Sequence, residues 1–168
     1  VALGAPHRSV SFTVPTGNFG DILAGYVAKK MGLPIERLVI ATNENDILAR
    51  TLDTGRYELR GVKATQSPSM DIQVSSNFER LLFEDGGRDA GSVRAMMASL
   101  GQSGSFSVPQ GTMAAILKGF DAGTTDEAAV AETIRSGLAE SNYLIDPHTA
   151  VALSASRRAA CARQTPMV

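Results

Sequence analysis

Val10-Ser-Phe-Thr-Val-Pro-Thr-Gly-Asn-Phe-Gly-Asp21 passes from one periodicity to another within twelve residues. Val10, Phe12 and Val14 alternate with Ser11 and Thr13, the period of a strand. Pro15 to Gly20 breaks that pattern with turn residues. A helix follows from about Asp21 to Met31, with Leu23, Val27 and Met31 on its apolar stripe and Ile22 and Tyr26 beside it. Gly32 ends the helix and Pro34 prevents its continuation. Leu38-Val39-Ile40-Ala41 is then a continuous apolar run, as expected of a strand buried on both faces of a parallel sheet. Strand, helix and strand at this spacing make a right-handed βαβ unit.

Beyond Ala41 the signals weaken. Asn43 or Asn45 is expected to cap a helix that runs to Leu52 and stops at Gly55. A weak strand is expected within Tyr57 to Thr65, and Ser67-Pro-Ser69 as a loop. Val74, Phe78, Leu81 and Leu82 share helical spacing, as do Val93, Met96, Met97 and Leu100, with a break at Gly86-Gly87. Phe106 and Val108 suggest a short strand, and Pro109 opens a helix carrying Met113, Ile116 and Leu117. Thr124 and Glu127 have capping-box spacing before a helix with Val130, Ile134 and Leu138. Tyr143-Leu-Ile145 reads as a strand, and Asp146-Pro147 turns the chain into an Ala-rich helix. The expected fold class is α/β, a three-layer αβα sandwich around a mostly parallel sheet.

The chain has 168 residues, enough for one domain with a real core. Hydrophobic residues at 43% and charged residues at 20% describe a globular chain and exclude a disordered one. Net charge is -1 and the 16 Lys and Arg are scattered, which gives no nucleic-acid footprint. No apolar run approaches a membrane span. The single cysteine, Cys161, cannot form an internal disulfide, in keeping with a cytoplasmic location. His7 and His148 are too isolated to suggest a metal site. Both ends read as cut: Val1 to His7 offers no element start, and Gln164 to Val168 reads as a strand just beginning. Residues 1–168 are therefore expected to be a single domain of a longer enzyme, truncated at both ends.

Three segments carry chemistry. Gly17-Asn-Phe-Gly-Asp21 sits at a strand's carboxyl end and opens a helix, where free N–H groups and the helix dipole favour a phosphate. The alternative is a plain tight turn, which any βαβ unit needs. It is neither a P-loop nor the dinucleotide fingerprint. Asp146-Pro-His-Thr-Ala150 repeats the geometry later, and Thr149 brings a hydroxyl that either contacts a ligand ring or caps the helix. Ser67 to Arg80 is dense in small polar groups, with Arg80 one helical turn past Ser76 and Asn77. It suits a second phosphate or a carboxylate, or else a polar loop leading into an amphipathic helix. Nucleophile elbows, zinc motifs and calcium-loop spacing are missing from the sequence.

Together these segments resemble threonine synthase of the bacterial and fungal branch. The likeness is carried by Val14-Pro-Thr-Gly-Asn-Phe-Gly-Asp21, Ala28-Lys-Lys-Met-Gly-Leu-Pro34, Ile40-Ala-Thr-Asn-Glu-Asn-Asp-Ile-Leu48, Ser67-Pro-Ser-Met-Asp-Ile72, Ser75-Ser-Asn-Phe-Glu-Arg-Leu-Leu-Phe83 and Asp146-Pro-His-Thr-Ala150, in that order. It covers the chain from about Val10 onward.

The resemblance implies one domain of a fold type II enzyme that uses pyridoxal 5'-phosphate. The implied reaction converts O-phospho-L-homoserine and water to L-threonine and phosphate. By motif, Gly17, Asn18, Phe19 and Gly20 would hold the cofactor phosphate through backbone N–H groups. Thr149 would hydrogen-bond the pyridine nitrogen, leaving the ring largely unprotonated. Ser76, Asn77 and Arg80 would bind substrate. The family's catalytic lysine lies well before the glycine loop, beside a Phe and an Asp. Lys29, Lys30, Lys63 and Lys118 have no such neighbourhood, so no catalytic residue is assigned here and the missing N-terminal part of the enzyme is the expected partner. Other fold type II lyases, such as a serine or threonine dehydratase, and a non-catalytic phosphate-binding module are the alternative readings.

Overall fold

The computed structural model describes residues 4, 7–159 and 165–168. Cys161 and Gln164, and the opening residues 1–3, 5 and 6, lie outside the described residues. In chain order the elements are β1 (Val10–Pro15), α1 (Gly20–Lys30), β2 (Ile35–Thr42), α2 (Ile47–Thr54), β3 (Arg56–Glu58), a 3₁₀ turn (Pro68–Met70), α3 (Phe78–Asp85), α4 (Ala90–Ser103), β4 (Ser105–Ser107), α5 (Gln110–Ile116), β5 (Phe120–Thr124), α6 (Glu127–Ser141) and α7 (Pro147–Arg158).

The parallel sheet runs β1-β2-β5, with Val14 opposite Ile40 and Ile40 opposite Ala122. β1 and β2 joined through α1 are the βαβ unit read from the sequence. On the outer edge of β1, Ser11 donates to the Pro166 carbonyl at 2.8 Å and Thr13 to that of Val168 at 2.7 Å. The last residues thus lie beside β1, with an isolated parallel bridge between Ser11 and Met167. β3 and β4 form a separate antiparallel pair.

Side-chain alternation along β2 divides the core in two. Leu38 and Ile40 join Ile22, Leu48, Phe78 and Ile116 on one face, and Ala41 joins Val130, Val151 and Ala155 on the other. Helices α1–α5 supply the first layer and α6 and α7 the second, so the expected αβα sandwich is present.

Several local expectations are corrected. On α1 the buried residues are Ile22 and Tyr26, while Val27 is 48% and Met31 83% exposed. The helix therefore docks by the flank of its predicted stripe, and that stripe instead lines a groove of about 770 Å³ with α3 and α4. The residue preceding α2 is Asp46 and not Asn43 or Asn45, because both Asn side chains are buried in hydrogen bonds elsewhere. Val74 lies outside α3 and is exposed. Thr124 does not cap α6: it ends β5, and Asp126 caps the helix by accepting from Ala129 N–H at 2.7 Å. Tyr143-Leu-Ile145 is no strand. Asn142 closes α6 in a left-handed conformation, and Tyr143 and Leu144 that follow are exposed.

Candidate functional site

At the carboxyl end of β1 the chain turns sharply. Thr16 N–H still bonds the Ala41 carbonyl of β2 at 2.8 Å, the last ladder contact before the loop. Gly17 then passes so close to the 3₁₀ turn that a Cβ on it would stand 2.9 Å from the Ser69 carbonyl. That approach, and not an unusual φ, requires glycine here. Asn18 folds its side-chain oxygen back to accept from Gly20 N–H at 2.9 Å. Phe19 is left-handed, with φ of 69°, and is 1% exposed. Its ring meets Phe78 edge-on at 5.4 Å and Phe120 at 5.9 Å. A left-handed non-glycine residue costs about 1–2 kcal/mol, and burying an aromatic ring in this core outweighs that. No side chain caps α1, so beyond Gly20 the first-turn N–H groups have no side-chain acceptor.

The segment 59–77 packs across this end of the sheet, held by a polar hub. Asp71 Oδ1 accepts from Asn43 Nδ2 at 2.8 Å, Asn45 Nδ2 at 2.9 Å and Thr65 Oγ1 at 2.7 Å. Its other oxygen accepts from Thr65 N–H at 2.8 Å. Burial alone would raise the Asp71 pKa, but the hydrogen bonds from Thr65, Asn43 and Asn45 outweigh it and hold the carboxylate below its usual range. Further along, Ser75 Oγ donates to the Gly17 carbonyl at 2.8 Å. Asn77 donates to the Asn18 carbonyl through both its N–H and its Nδ2, each at 3.0 Å.

Between the glycine loop and this segment lies a cleft of about 450 Å³, lined in part by Gly17, Asn18, Asp21, Ser69, Met70 and His148. His148, at the start of α7, is the residue of the Asp146–Ala150 motif that lines this cleft with the glycine loop; Thr149, next to it, is not among the lining residues. Asp146 caps α7, accepting from His148 N–H at 2.8 Å, Thr149 N–H at 3.3 Å and the Thr149 hydroxyl at 2.6 Å. The Thr149 hydroxyl bond, with the two N–H groups and the His148 ring, pushes the Asp146 pKa down to about 2 against a smaller opposing effect of burial. A carboxylate at that pKa only accepts, so the Thr149 hydroxyl proton points to Asp146. His148 Nδ1 stands 3.0 Å from Asp146, and its Nε2 is buried without a partner among the described residues.

The structure thus brings Gly17, Asn18, Phe19, Gly20 and Asn77 into direct contact and sets the turn holding Thr149 across the same cleft. Ser76 is exposed next to them. Arg80 is exposed too, but lines the groove between α1, α3 and α4, and makes no ion pair among the described residues. The sequence reading missed Asn43, Asn45 and Asp71 as a hub and Ser75 as a loop partner. One available signal was a cluster of Asn residues straight after an apolar strand, at the sheet edge where ligands gather.

None of the four lysines lines the cleft. Lys29 donates to the Glu36 carbonyl at 3.0 Å and Lys30 approaches Asp85 at 3.8 Å. Both border a second cavity with Lys118 and Gly119, at the amino ends of β2 and β5. Lys63 lies in the 59–77 segment, where it pairs with Glu44.

No family model matches the sequence. It is 47% identical over 166 residues to the threonine synthase of Pseudomonas aeruginosa, a match covering 99% of this chain and 35% of that protein. The crystal structure of pyridoxal-phosphate-bound threonine synthase from Brucella melitensis superposes with a TM-score of 0.96 at 59% identity, over 99% of this chain and 36% of that one. Threonine synthase from yeast follows at a TM-score of 0.86 and 42% identity, over 94% and 34%. The fold is that of a domain of the fold type II pyridoxal-phosphate enzymes. The chain spans about a third of the length of the relatives it matches. Continuous likeness in sequence and backbone, from the glycine loop to the turn before Thr149, makes this chain a member of the threonine synthase family.

Proposed function

We propose that residues 1–168 form the cofactor-phosphate-binding domain of a threonine synthase, an enzyme that converts O-phospho-L-homoserine and water to L-threonine and phosphate with pyridoxal 5'-phosphate. The observation that carries this reading is the uncapped start of α1 opening on the same cleft as His148, the residue beside Thr149. Anion donors left over at one end and a hydroxyl-bearing helix start at the other suit a phosphate joined to a ring. Pyridoxal phosphate, when bound, supplies the electron sink that stabilises negative charge next to an amino-acid nitrogen.

In this reading Gly17, Asn18 and Phe19, with Gly20 once the Asn18 side chain releases its N–H, hold the phosphate with backbone N–H groups, and the α1 dipole adds to the attraction. Thr149 orients the ring nitrogen. Its hydroxyl proton is held by Asp146 at 2.6 Å, so Thr149 either accepts from a protonated ring nitrogen or turns its hydroxyl away from Asp146 to donate. Ser76, Asn77 and Arg80 serve the substrate phosphate. Asn77 stands next to the loop; Arg80, three residues on, lines the neighbouring groove of α1, α3 and α4 and makes no ion pair among the described residues. The lysine that carries protons between Cα and Cβ comes from the N-terminal part of the enzyme, since Lys29, Lys30, Lys63 and Lys118 do not line the cleft. The reading assigns the enzyme to the cytoplasm; among the described residues no helix is long and apolar enough to cross a membrane.

A non-catalytic phosphate-binding module is the second reading, favoured by the same lack of a lysine at the cleft. Borohydride reduction with pyridoxal phosphate separates the outcomes. Reversible binding of the cofactor with no lysine labelled stoichiometrically is expected. Turnover restored by the family's N-terminal part selects the enzyme over the module. Stoichiometric labelling at one of the four lysines, with turnover, would overturn the assignment.

A further inference from the structure

The glycine loop is shaped from outside itself. The carbonyls of Gly17 and Asn18 are both drawn toward the segment 73–78, by Ser75 Oγ at 2.8 Å and by Asn77 N–H and Nδ2 at 3.0 Å. A peptide plane is rigid, so fixing a carbonyl on one side fixes the N–H of the next residue on the other. Holding these two carbonyls therefore sets the N–H directions of Asn18 and Phe19. Segment 73–78 is in turn held by one buried side chain. Tyr57, 2% exposed on the antiparallel β3–β4 pair, accepts from Ser75 N–H at 2.8 Å and donates to the Gln73 carbonyl at 3.3 Å. Its ring stacks on Phe78 at 5.8 Å, and Phe78 meets Phe19 at 5.4 Å. Burial raises the Tyr57 pKa, against a smaller opposing effect of the Ser75 hydrogen bond, so the hydroxyl keeps its proton.

We infer that Tyr57 is a positioning residue for the phosphate cradle: it acts through Ser75 and Asn77 to aim the loop's N–H groups without touching the ligand itself. The inference rests on the proposed role of Gly17 to Gly20 as that cradle. The hydroxyl end controls the loop backbone and the ring end controls Phe19, so the two contributions separate by substitution. Tyr57→Phe keeps the stack and removes the hydroxyl. Ser75→Ala keeps the backbone and removes the bond to Gly17. Ser75→Thr keeps a hydroxyl and serves as the rescue.

The test uses the 168-residue chain, with inorganic phosphate and pyridoxal 5'-phosphate as probes, and the amide resonances of Asn18 and Phe19 as the structural readout. Tyr57→Phe and Ser75→Ala are each expected to weaken phosphate binding about tenfold, the effect of one buried hydrogen bond, and to shift those two amides. Ser75→Thr should restore both, and Ser103→Ala, which removes a hydroxyl from α4, should change neither. Wild-type affinity and unmoved amides in both variants, with phosphate bound by the parent chain, would overturn the positioning role alone. Failure of the parent chain to bind either probe would overturn the cradle and, with it, this inference.

Discussion

Phe19 occupies a conformation that its own side chain opposes. Any Cβ at φ of 69° is strained, and the burial of the ring between Phe78 and Phe120 offsets that strain. Truncation therefore has two parts that can be told apart. Phe19→Ala loses the ring and keeps the strain, and is expected to cost about 3–5 kcal/mol in urea unfolding. Phe19→Gly loses the ring and the strain together, and is expected to be more stable than Phe19→Ala by about 1 kcal/mol. A glycine variant no more stable than the alanine one would show that the left-handed turn carries no strain. At this scale the glycine loop was legible because strand, turn and helix periods meet within a few residues. The Asp71 hub was not, since its bonds to Asn43 and Asn45 join residues far apart in sequence and only the fold brings them together.

The start of α7 depends on one charge. Asp146 has a folded pKa of about 2, below its ordinary value of 3.8, because Thr149 and His148 bond its ionised form. A depressed carboxylate contributes its stability above the unfolded value and loses it as pH falls through the folded one. The first turn of α7 is thus expected to be fully held above about pH 4 and to loosen between pH 4 and pH 2. The Asp146 side chain is 57% exposed, so solvent screening keeps the effect local. Faster amide exchange at His148 and Thr149 across that interval, flattened in Asp146→Asn, is the expected result; equal pH dependence in both proteins would refute it. The helix start was readable from Asp146-Pro147, but the capping role offered to Thr149 belongs to Asp146. β5 was not: Phe120-Asp-Ala-Gly-Thr124 has no β-branched run and carries a glycine, Gly123. Tyr143-Leu-Ile145 misled in the opposite direction, because three apolar residues after a helix do not distinguish a strand from an exposed connection.

As a whole the chain keeps a large apolar surface facing solvent. Leu23, Val27 and Met31 of α1 with Phe83, Val93 and Met97 line the groove of about 770 Å³, and Tyr143 and Leu144 stand out near the start of α7. Exposed apolar area favours association, here beside the charged groove residues Lys30, Glu79, Arg80, Glu84, Arg88 and Arg94. The isolated chain is expected to self-associate as concentration rises, and the double variant Val27→Lys, Met31→Lys to remain monomeric at the same concentrations in sedimentation velocity. An unchanged profile would move the sticky surface elsewhere. The predicted stripe on α1 was thus correctly identified as apolar but assigned to the wrong neighbour, because periodicity defines a face without saying what covers it.

The row of rings running Tyr57, Phe78, Phe19, Phe120, Tyr26 has an optical consequence. The chain contains no tryptophan and three tyrosines, so its intrinsic fluorescence belongs to tyrosine alone. Tyr26 and Tyr57 both belong to this row, on either side of the glycine loop's Phe19, while Tyr143 lies out in solvent. A light-absorbing ligand seated on the loop would quench this tyrosine emission by energy transfer. Occupancy of the cleft is therefore readable from the protein's own emission, with no label attached.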